Sequence, residues 1–134
     1  MSARVLTRNG KASLIVRLES LQTNEAPVWM NFQLYGETVG ALKMTLRGGD
    51  YGEELHSHCV DDEILPSATS YALLLPGQGR ETEFPLDCYD VPVDSVSVEL
   101  LYRDRYASPP PVPVPGAVLV RGPLMWGPRL LEFP

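Results

Sequence analysis

Apolar and polar residues alternate most regularly between Val91 and Tyr106. From Ser95 onward every second residue is apolar, and these residues would share one face: Val96, Val98, Leu100 and Tyr102. A period of two is typical of a β-strand with one dry face, and β-branched and aromatic residues favour that structure. The segment is long for a strand. We therefore predict a central strand with which the others pair or pack.

The N-terminal segment predicts a β-hairpin. Asn9-Gly10 separates two alternating runs within Arg4–Glu19, and a type I′ turn needs positive φ at both central residues, which Asn and Gly accept. A two-residue loop sets Val5 opposite Leu14. The apolar residues of both strands then lie on one face, which supports this register.

A second hairpin is predicted around Gly36–Thr38. A three-residue loop there sets the apolar residues of Val28–Tyr35 opposite those of Leu42–Leu46, whereas a two-residue loop would turn the second set outward. Trp29 and Tyr35 would then lie on the opposite, aromatic-rich face. That face is a candidate ligand-binding surface.

Further short strands are predicted after an irregular stretch that runs from Tyr51 to Ser70. Tyr71–Leu75 is a short apolar run typical of a buried strand, and Glu81–Leu86 alternates with Pro85 in it, which indicates an edge strand or a bulge. Ala117–Arg121 is a candidate for one more strand. With about eight strands and almost no helical periodicity, the chain is predicted to be all-β. We expect a two-sheet antiparallel sandwich, jelly-roll-like or Ig-like.

Proline usage divides the chain. Eight of the 13 prolines follow Ser108, and residues 108–116 are expected to form a stiff polyproline segment. We predict a β-sandwich domain over residues 1–107 and an extended Pro-rich arm with an apolar end over 108–134. That end is too apolar for a solvated tail, so it should pack on the sandwich or on a neighbouring subunit. The expected partner-binding residues are Pro110, Pro113, Trp126, Leu130 and Phe133.

Charge is segregated along the chain. Residues 1–47 carry six basic and three acidic groups, residues 48–101 carry one basic and twelve acidic groups, and the remainder carries four and two. Acidic loops that keep the protein soluble are one interpretation. The other is that basic ends and an acidic middle are complementary between neighbouring copies, which would steer head-to-tail association.

One loop has the composition of a metal site. The spacing of His56 and His58, followed by Glu63, resembles the first metal motif of the cupins, which are β-barrels. The resemblance implies a metal held by these three residues. The chain has no further histidine for the fourth cupin ligand, however, so Cys59 or Asp62 would have to replace it. We expect an exposed loop with a titrating His pair, and neither a metal nor another cofactor.

The two cysteines, Cys59 and Cys88, are too few for a disulfide framework. Pairing is open if their strands are neighbours, but buried free thiols are the preferred interpretation, because a free cysteine packs as a small hydrophobe.

Other chemistry has little support in the sequence. The chain lacks a Gly-x-Ser-x-Gly elbow, and its acidity without a basic–aromatic cluster argues against a nucleic-acid partner. No apolar run is long enough to span a bilayer. The N-terminus lacks the pattern of a signal peptide, so cytoplasmic synthesis is expected.

These patterns favour a structural protein over an enzyme. We expect a β-sandwich subunit that oligomerises or docks on a larger protein shell through its C-terminal arm, without nucleic-acid or membrane partners. Virion proteins, such as phage capsid cement or tail components, often have this construction. The alternatives are a ligand-binding β-sandwich module and, third, a cupin-like metal-dependent enzyme.

Overall fold

The computed structural model describes residues 1–21, 25–34, 40–49, 52–59, 70–91, 94–105 and 114–134. These ranges contain ten strands: β1 (Ser2–Arg8), β2 (Lys11–Glu19), β3 (Val28–Asn31), β4 (Leu42–Gly48), β5 (Glu54–Leu55), β6 (Tyr71–Leu74), β7 (Gly79–Pro85), β8 (Ser95–Tyr102), β9 (Val118–Leu119) and β10 (Leu124–Glu132). One short 3₁₀ helix spans Leu86–Cys88. The all-β prediction is confirmed for this part of the chain.

The strands form three hydrogen-bonded sheets. We call β1-β2-β7 the hairpin sheet, β10-β8-β4-β5 the four-stranded sheet and β6-β3-β9 the small sheet. About eight strands in two sheets were predicted, whereas the described residues form ten in three. The candidate strand at Ala117–Arg121 corresponds to β9. The two additional strands are β5, which with two residues is too brief to show a period, and β10, whose alternation is interrupted at Gly127 and Pro128.

The β1–β2 hairpin has the predicted register. Val5 lies opposite Leu14 and Arg8 opposite Lys11. The turn residues Asn9 and Gly10 have φ of 51° and 75°, as a type I′ turn requires. β7 pairs with β2 and forms an edge of the hairpin sheet, with Pro85 at its end, so the edge position predicted from this proline is confirmed.

β8 is the central strand that the alternation predicted. It pairs with β4 on one side and with β10 on the other. Its inward residues have no exposed surface: Val96, Val98, Leu100 and Tyr102. They join one core cluster with Leu14, Val16 and Leu18 of the hairpin sheet and with Val28 and Met30 of the small sheet.

The predicted pairing of β3 with β4 is wrong for the two strands. Within the described residues it holds only beyond their ends, where the Ala41 N–H donates to Gln33 O at 2.9 Å in the register of the predicted three-residue loop. β3 pairs with β6 and with β9, whereas β4 pairs with β5 and β8. Both strands direct apolar residues toward the same core. Two paired strands would show this pattern, but so would two strands in different sheets that enclose one core, so the pattern does not distinguish them. The loop at 36–38 lies outside the described residues.

Among the strands that the structure describes, pairing is antiparallel except at one place. β9 pairs in parallel with β3, with Val118 opposite Val28. A parallel pair needs a long connection, and sequence periodicity carries no information about such a pairing. The departure from an all-antiparallel arrangement was therefore not predictable from the alternation.

The C-terminal residues complete the four-stranded sheet. β10 runs along β8, with Leu124 opposite Tyr102 and Glu132 opposite Ser95. A bulge interrupts the register between Trp126 and Arg129. Of the predicted polyproline segment, residues 108–113 lie outside the described residues, and these include Pro110 and Pro113. The arm as such stays a prediction.

Candidate functional site

β10 is an edge strand that exposes large apolar side chains. It ends the four-stranded sheet, so within the described residues only β8 pairs with it. Leu124 is 36% exposed, Met125 66% and Leu130 45%. Soluble proteins protect such edges or cover them with other chain. This strand is therefore the best candidate for a contact surface.

The predicted partner-binding residues on β10 have different environments. Leu130 is exposed. Trp126 and Phe133 are partly buried and pack against the core of their own chain, and the Arg129 guanidinium lies 5.0 Å from the centre of the Trp126 ring. Met125, which is more exposed than any of the three, was missed. The outward position of Met125 depends on its pairing opposite Leu101 of β8, which is not visible in the sequence.

Two glycine–proline pairs shape this edge. Gly122 and Gly127 have φ of 80° and 83°, and each precedes a cis-proline. A Cβ at Gly127 would lie 2.4 Å from the Val98 carbonyl oxygen, so only glycine allows β10 to approach β8 this closely. Pro123 and Pro128 have no N–H to donate, which limits pairing of a further strand along the outer edge.

Exposed charges lie at opposite ends of the four-stranded sheet. At the end where β8 finishes, the exposed cations include Lys43, Arg103 and Arg121, with Arg105 close by in the sequence; we call this end the basic pole. The backbone places them together, since the Arg103 N–H donates to Ala41 O and the Asp104 N–H to Arg121 O. None of these three side chains takes part in an ion pair within the described ranges. Leu124 and Met125 lie in the adjacent rows of the sheet.

At the other end the exposed side chains are mostly acidic, and we call it the acidic pole. Its exposed carboxylates are Glu53, Glu54, Asp87, Asp90, Asp94 and Glu132. An open cleft of about 430 Å³ lies there, lined by apolar atoms of Tyr89, Val91 and Phe133, by Asp87 and Asp90, and by Lys11. Arg47 is also near, opposite Glu54.

Some of the segregated charges form ion pairs within the chain. Arg4 of β1 donates a hydrogen bond to Glu81 of β7, and Arg8 pairs with Glu83 at 3.4 Å. The hydrogen bond from Arg4 lowers the pKa of the Glu81 carboxyl below its ordinary value. N-terminal basic residues and acidic residues of the middle segment thus meet on the outer face of the hairpin sheet. The charges of these four residues are therefore already paired within their own chain.

The cysteine prediction is wrong. Cys59 and Cys88 form a disulfide, with Cα atoms 5.2 Å apart. Their pairing across 29 residues depends on how the loop after β5 meets the 3₁₀ helix, where the His58 N–H donates to Cys88 O. Disulfides persist in oxidising surroundings and are rare in a reducing cytosol.

The histidines lie on this disulfide-linked loop. His56 and His58 are both exposed, and His58 Nε2 lies 4.0 Å from Asp90 Oδ1. Glu63 and Asp62 lie outside the described residues. Among the residues that the structure describes, no group of three or more His, Cys, Asp or Glu side chains is arranged to hold a metal ion. The prediction that the protein is not an enzyme remains untested.

Trp29 does not form the predicted ligand-binding face. Its side chain is only 7% exposed, because β3 is covered on both faces: all four of its residues are buried. Tyr35 lies outside the described residues. The alternation predicted an outer face for Trp29 and Asn31, but a strand enclosed on both sides has no outer face.

A buried polar network was also missed. The Tyr71 hydroxyl donates to Asp104 Oδ2 at 2.5 Å and Asn31 Nδ2 donates to Asp104 Oδ1 at 3.3 Å, while the Asn31 N–H donates to the Tyr102 hydroxyl at 2.8 Å. Burial is the main cause that raises the pKa of Tyr102 above its ordinary value, and the Asp104 charge adds to it. The network links the small sheet to the four-stranded sheet.

Comparison of the chain with protein-family models, with curated proteins and with solved structures gives no match. Nor does the described part of the chain contain a helix of the length and apolar character needed to cross a membrane. The functional argument therefore rests on the geometry of the chain itself.

Proposed function

We propose that the protein is a structural subunit that associates with further copies of itself through β10. The observation that carries the proposal is the nine-residue edge strand with Leu124, Met125 and Leu130 exposed. Removing apolar surface from water lowers the free energy by about 25 cal/mol per Å². Contact of these side chains with a second molecule is therefore favoured.

The edge favours a defined contact over open-ended strand addition. Pro128 removes a backbone donor from β10 and Pro123 removes one just before the strand begins, and the register shifts between Trp126 and Arg129. A further strand therefore cannot form a continuous ladder along it. Association through the side chains of β10 explains both the apolar surface and the interrupted backbone.

We infer that the three sheets form the two layers of a sandwich. The four-stranded sheet would be one layer, and the hairpin and small sheets together the other, since residues of all three share one core cluster. In this arrangement β10 lies at a corner, and the approach of β1 to β10 supports it.

A virion component, such as a capsid cement or tail protein of a phage, is the class to which we assign such a subunit. The support is its construction: a small all-β domain with an apolar strand at the C-terminal edge, preceded by a proline-rich segment. A disulfide fits a protein that functions outside a reducing cytosol.

The test is the solution mass of the full chain by sedimentation and light scattering. We expect a multiple of the 14.8 kDa chain mass, and a shift to monomer in Met125→Ser/Leu130→Ser. Leu21→Ser/Leu75→Ser is the matched control, because Leu21 and Leu75 are equally apolar and exposed but lie outside β10. Circular dichroism verifies that both variants fold. A full chain that is monomeric at every concentration overturns the proposal.

A further inference from the structure

We propose that the copies associate head to tail, with the basic pole of one copy docked on the cleft at the acidic pole of the next. This inference rests on the proposed function and names the surface that receives β10. The occupant of the cleft is the Leu124–Met125 end of β10 from a second copy, and the flanking charges set its orientation.

The two surfaces are complementary in shape and polarity. At the basic pole the side chain of Met125 is exposed, next to Leu124. These two residues lie opposite Leu101 and Tyr102, the last two residues of β8. The acidic pole offers an open cleft of about 430 Å³ with apolar walls from Tyr89, Val91 and Phe133. One thioether side chain and its neighbour fit in such a volume, and methionine adapts well to irregular apolar sites.

The charges around the two surfaces are opposite. Lys43, Arg103 and Arg121 surround the apolar end of β10, and none of them has an ion-pair partner in the described ranges of its own chain. Asp87 and Asp90 line the cleft, with one cation, Lys11, among the lining residues. Opposite charges at a contact steer association and fix its orientation more than they add affinity.

The poles are too far apart to neutralise each other. They lie at the two ends of β8, which spans eight residues, or about 25 Å at 3.3 Å per residue. The Debye length at physiological salt is about 8 Å. Each pole therefore acts on a neighbouring molecule, and contact between two different surfaces propagates into a ring or a filament.

Charge reversal at each pole tests the arrangement. Lys43→Glu/Arg103→Glu/Arg121→Glu makes both poles of one variant acidic, and Asp87→Lys/Asp90→Lys makes the cleft of the other variant basic. Each variant alone places like charges at every head-to-tail contact, so we expect association at least about tenfold weaker than in the natural chain. Mixed in equal amounts, the two variants have complementary contacts in both directions. We expect the mixture to recover assembly, with the two variants alternating.

The control for net charge is Glu19→Lys/Glu25→Lys, which changes the charge as much as the cleft variant does but lies outside both poles. It should assemble like the natural chain. If the natural chain assembles but neither pole variant is weakened, or if mixing restores nothing, the head-to-tail inference is wrong while association through β10 stands. If the cleft variant alone assembles normally, copies meet through identical surfaces instead. A monomeric natural chain overturns the proposed function itself.

Discussion

At the scale of single residues, Asp104 has the most consequential environment. It is buried, at 5% exposure, and accepts hydrogen bonds from Tyr71 and Asn31, which belong to the small sheet. A buried donor that loses its acceptor costs about 1–3 kcal/mol. One carboxylate therefore accepts two of the three buried hydrogen bonds described for the link between these sheets.

Asp104→Ala is expected to lower the free energy of unfolding by about 2–4 kcal/mol, because the donors of Tyr71 and Asn31 lose their acceptor. Urea unfolding followed by tryptophan fluorescence measures this. Asp94→Ala is the control, since Asp94 is exposed at the other end of β8, and it should change stability by less than about 0.5 kcal/mol. Equal losses in the two variants would mean that the network does not contribute.

Tyr102 should make stability decrease at alkaline pH. Its pKa is raised in the folded state, mainly by burial, so the neutral form stabilises the fold. This contribution is complete below the ordinary tyrosine pKa of about 10 and is lost as the pH rises above it. We expect the free energy of unfolding, measured from neutral pH to pH 11, to fall less steeply above about pH 10 in Tyr102→Phe than in the natural chain. Parallel curves for the two proteins would assign the alkaline loss to other groups.

At the scale of elements, β10 depends on its contact with β8. Gly127 has a φ of 83°, and a side chain there would collide with the Val98 carbonyl. The strand that we propose as the contact surface is therefore held in place by the absence of a Cβ at this position.

Gly127→Ala is expected to displace β10 and to lower stability by more than about 1 kcal/mol, because both backbone conformation and the collision oppose alanine. Gly116→Ala separates the two causes. Gly116 has a similar φ of 79°, but nothing lies within 4 Å of its added Cβ. Hydrogen exchange of β10 amides should increase in the first variant only. If the two variants had the same stability and the same hydrogen exchange in β10, the close contact between Gly127 and β8 would not be what holds the strand.

The disulfide ties the loop after β5 to the 3₁₀ helix. Loop closure over 29 residues predicts that Cys59→Ser/Cys88→Ser lowers the free energy of unfolding by about 3 kcal/mol. Thiol titration of the unfolded natural chain without reductant should detect no free thiol. Two reactive thiols would restore the interpretation made from the sequence.

At the scale of the whole molecule, the C-terminal residues belong to the central core as well as to the candidate surface. Trp126, Leu131 and Phe133 pack against that core, and β10 covers one edge of β8. Residues 1–107 were expected to fold alone, but without β10 the edge of β8 and its apolar neighbours would face water.

A chain that ends at Ala107 is therefore expected to be less stable and to aggregate. Soluble yield and thermal unfolding measure this, with the charge-reversed variants as controls that keep β10. A soluble, cooperatively folded truncation would show instead that residues 108–134 are an independent arm.

The amino-acid pattern alone was enough to predict the all-β class, the β1–β2 register and the central position of β8. These features depend on local rules: alternation defines which face is dry, and Asn9-Gly10 specifies its turn. Of the candidate site, the sequence indicated the apolar C-terminal segment and Leu130. It did not indicate Met125.

The other features of the fold and of the candidate site follow from contacts between distant segments. The separation of β3 from β4, the parallel β9, the disulfide and the buried Asp104 all involve residues that are distant in the chain and have no mutual period. The same holds for the two charge poles, because strand order brings Arg121 beside Arg103 and moves Glu132 to the opposite end of the sheet. Local patterns specify which residues are buried, whereas packing between distant segments specifies which residues each of them contacts.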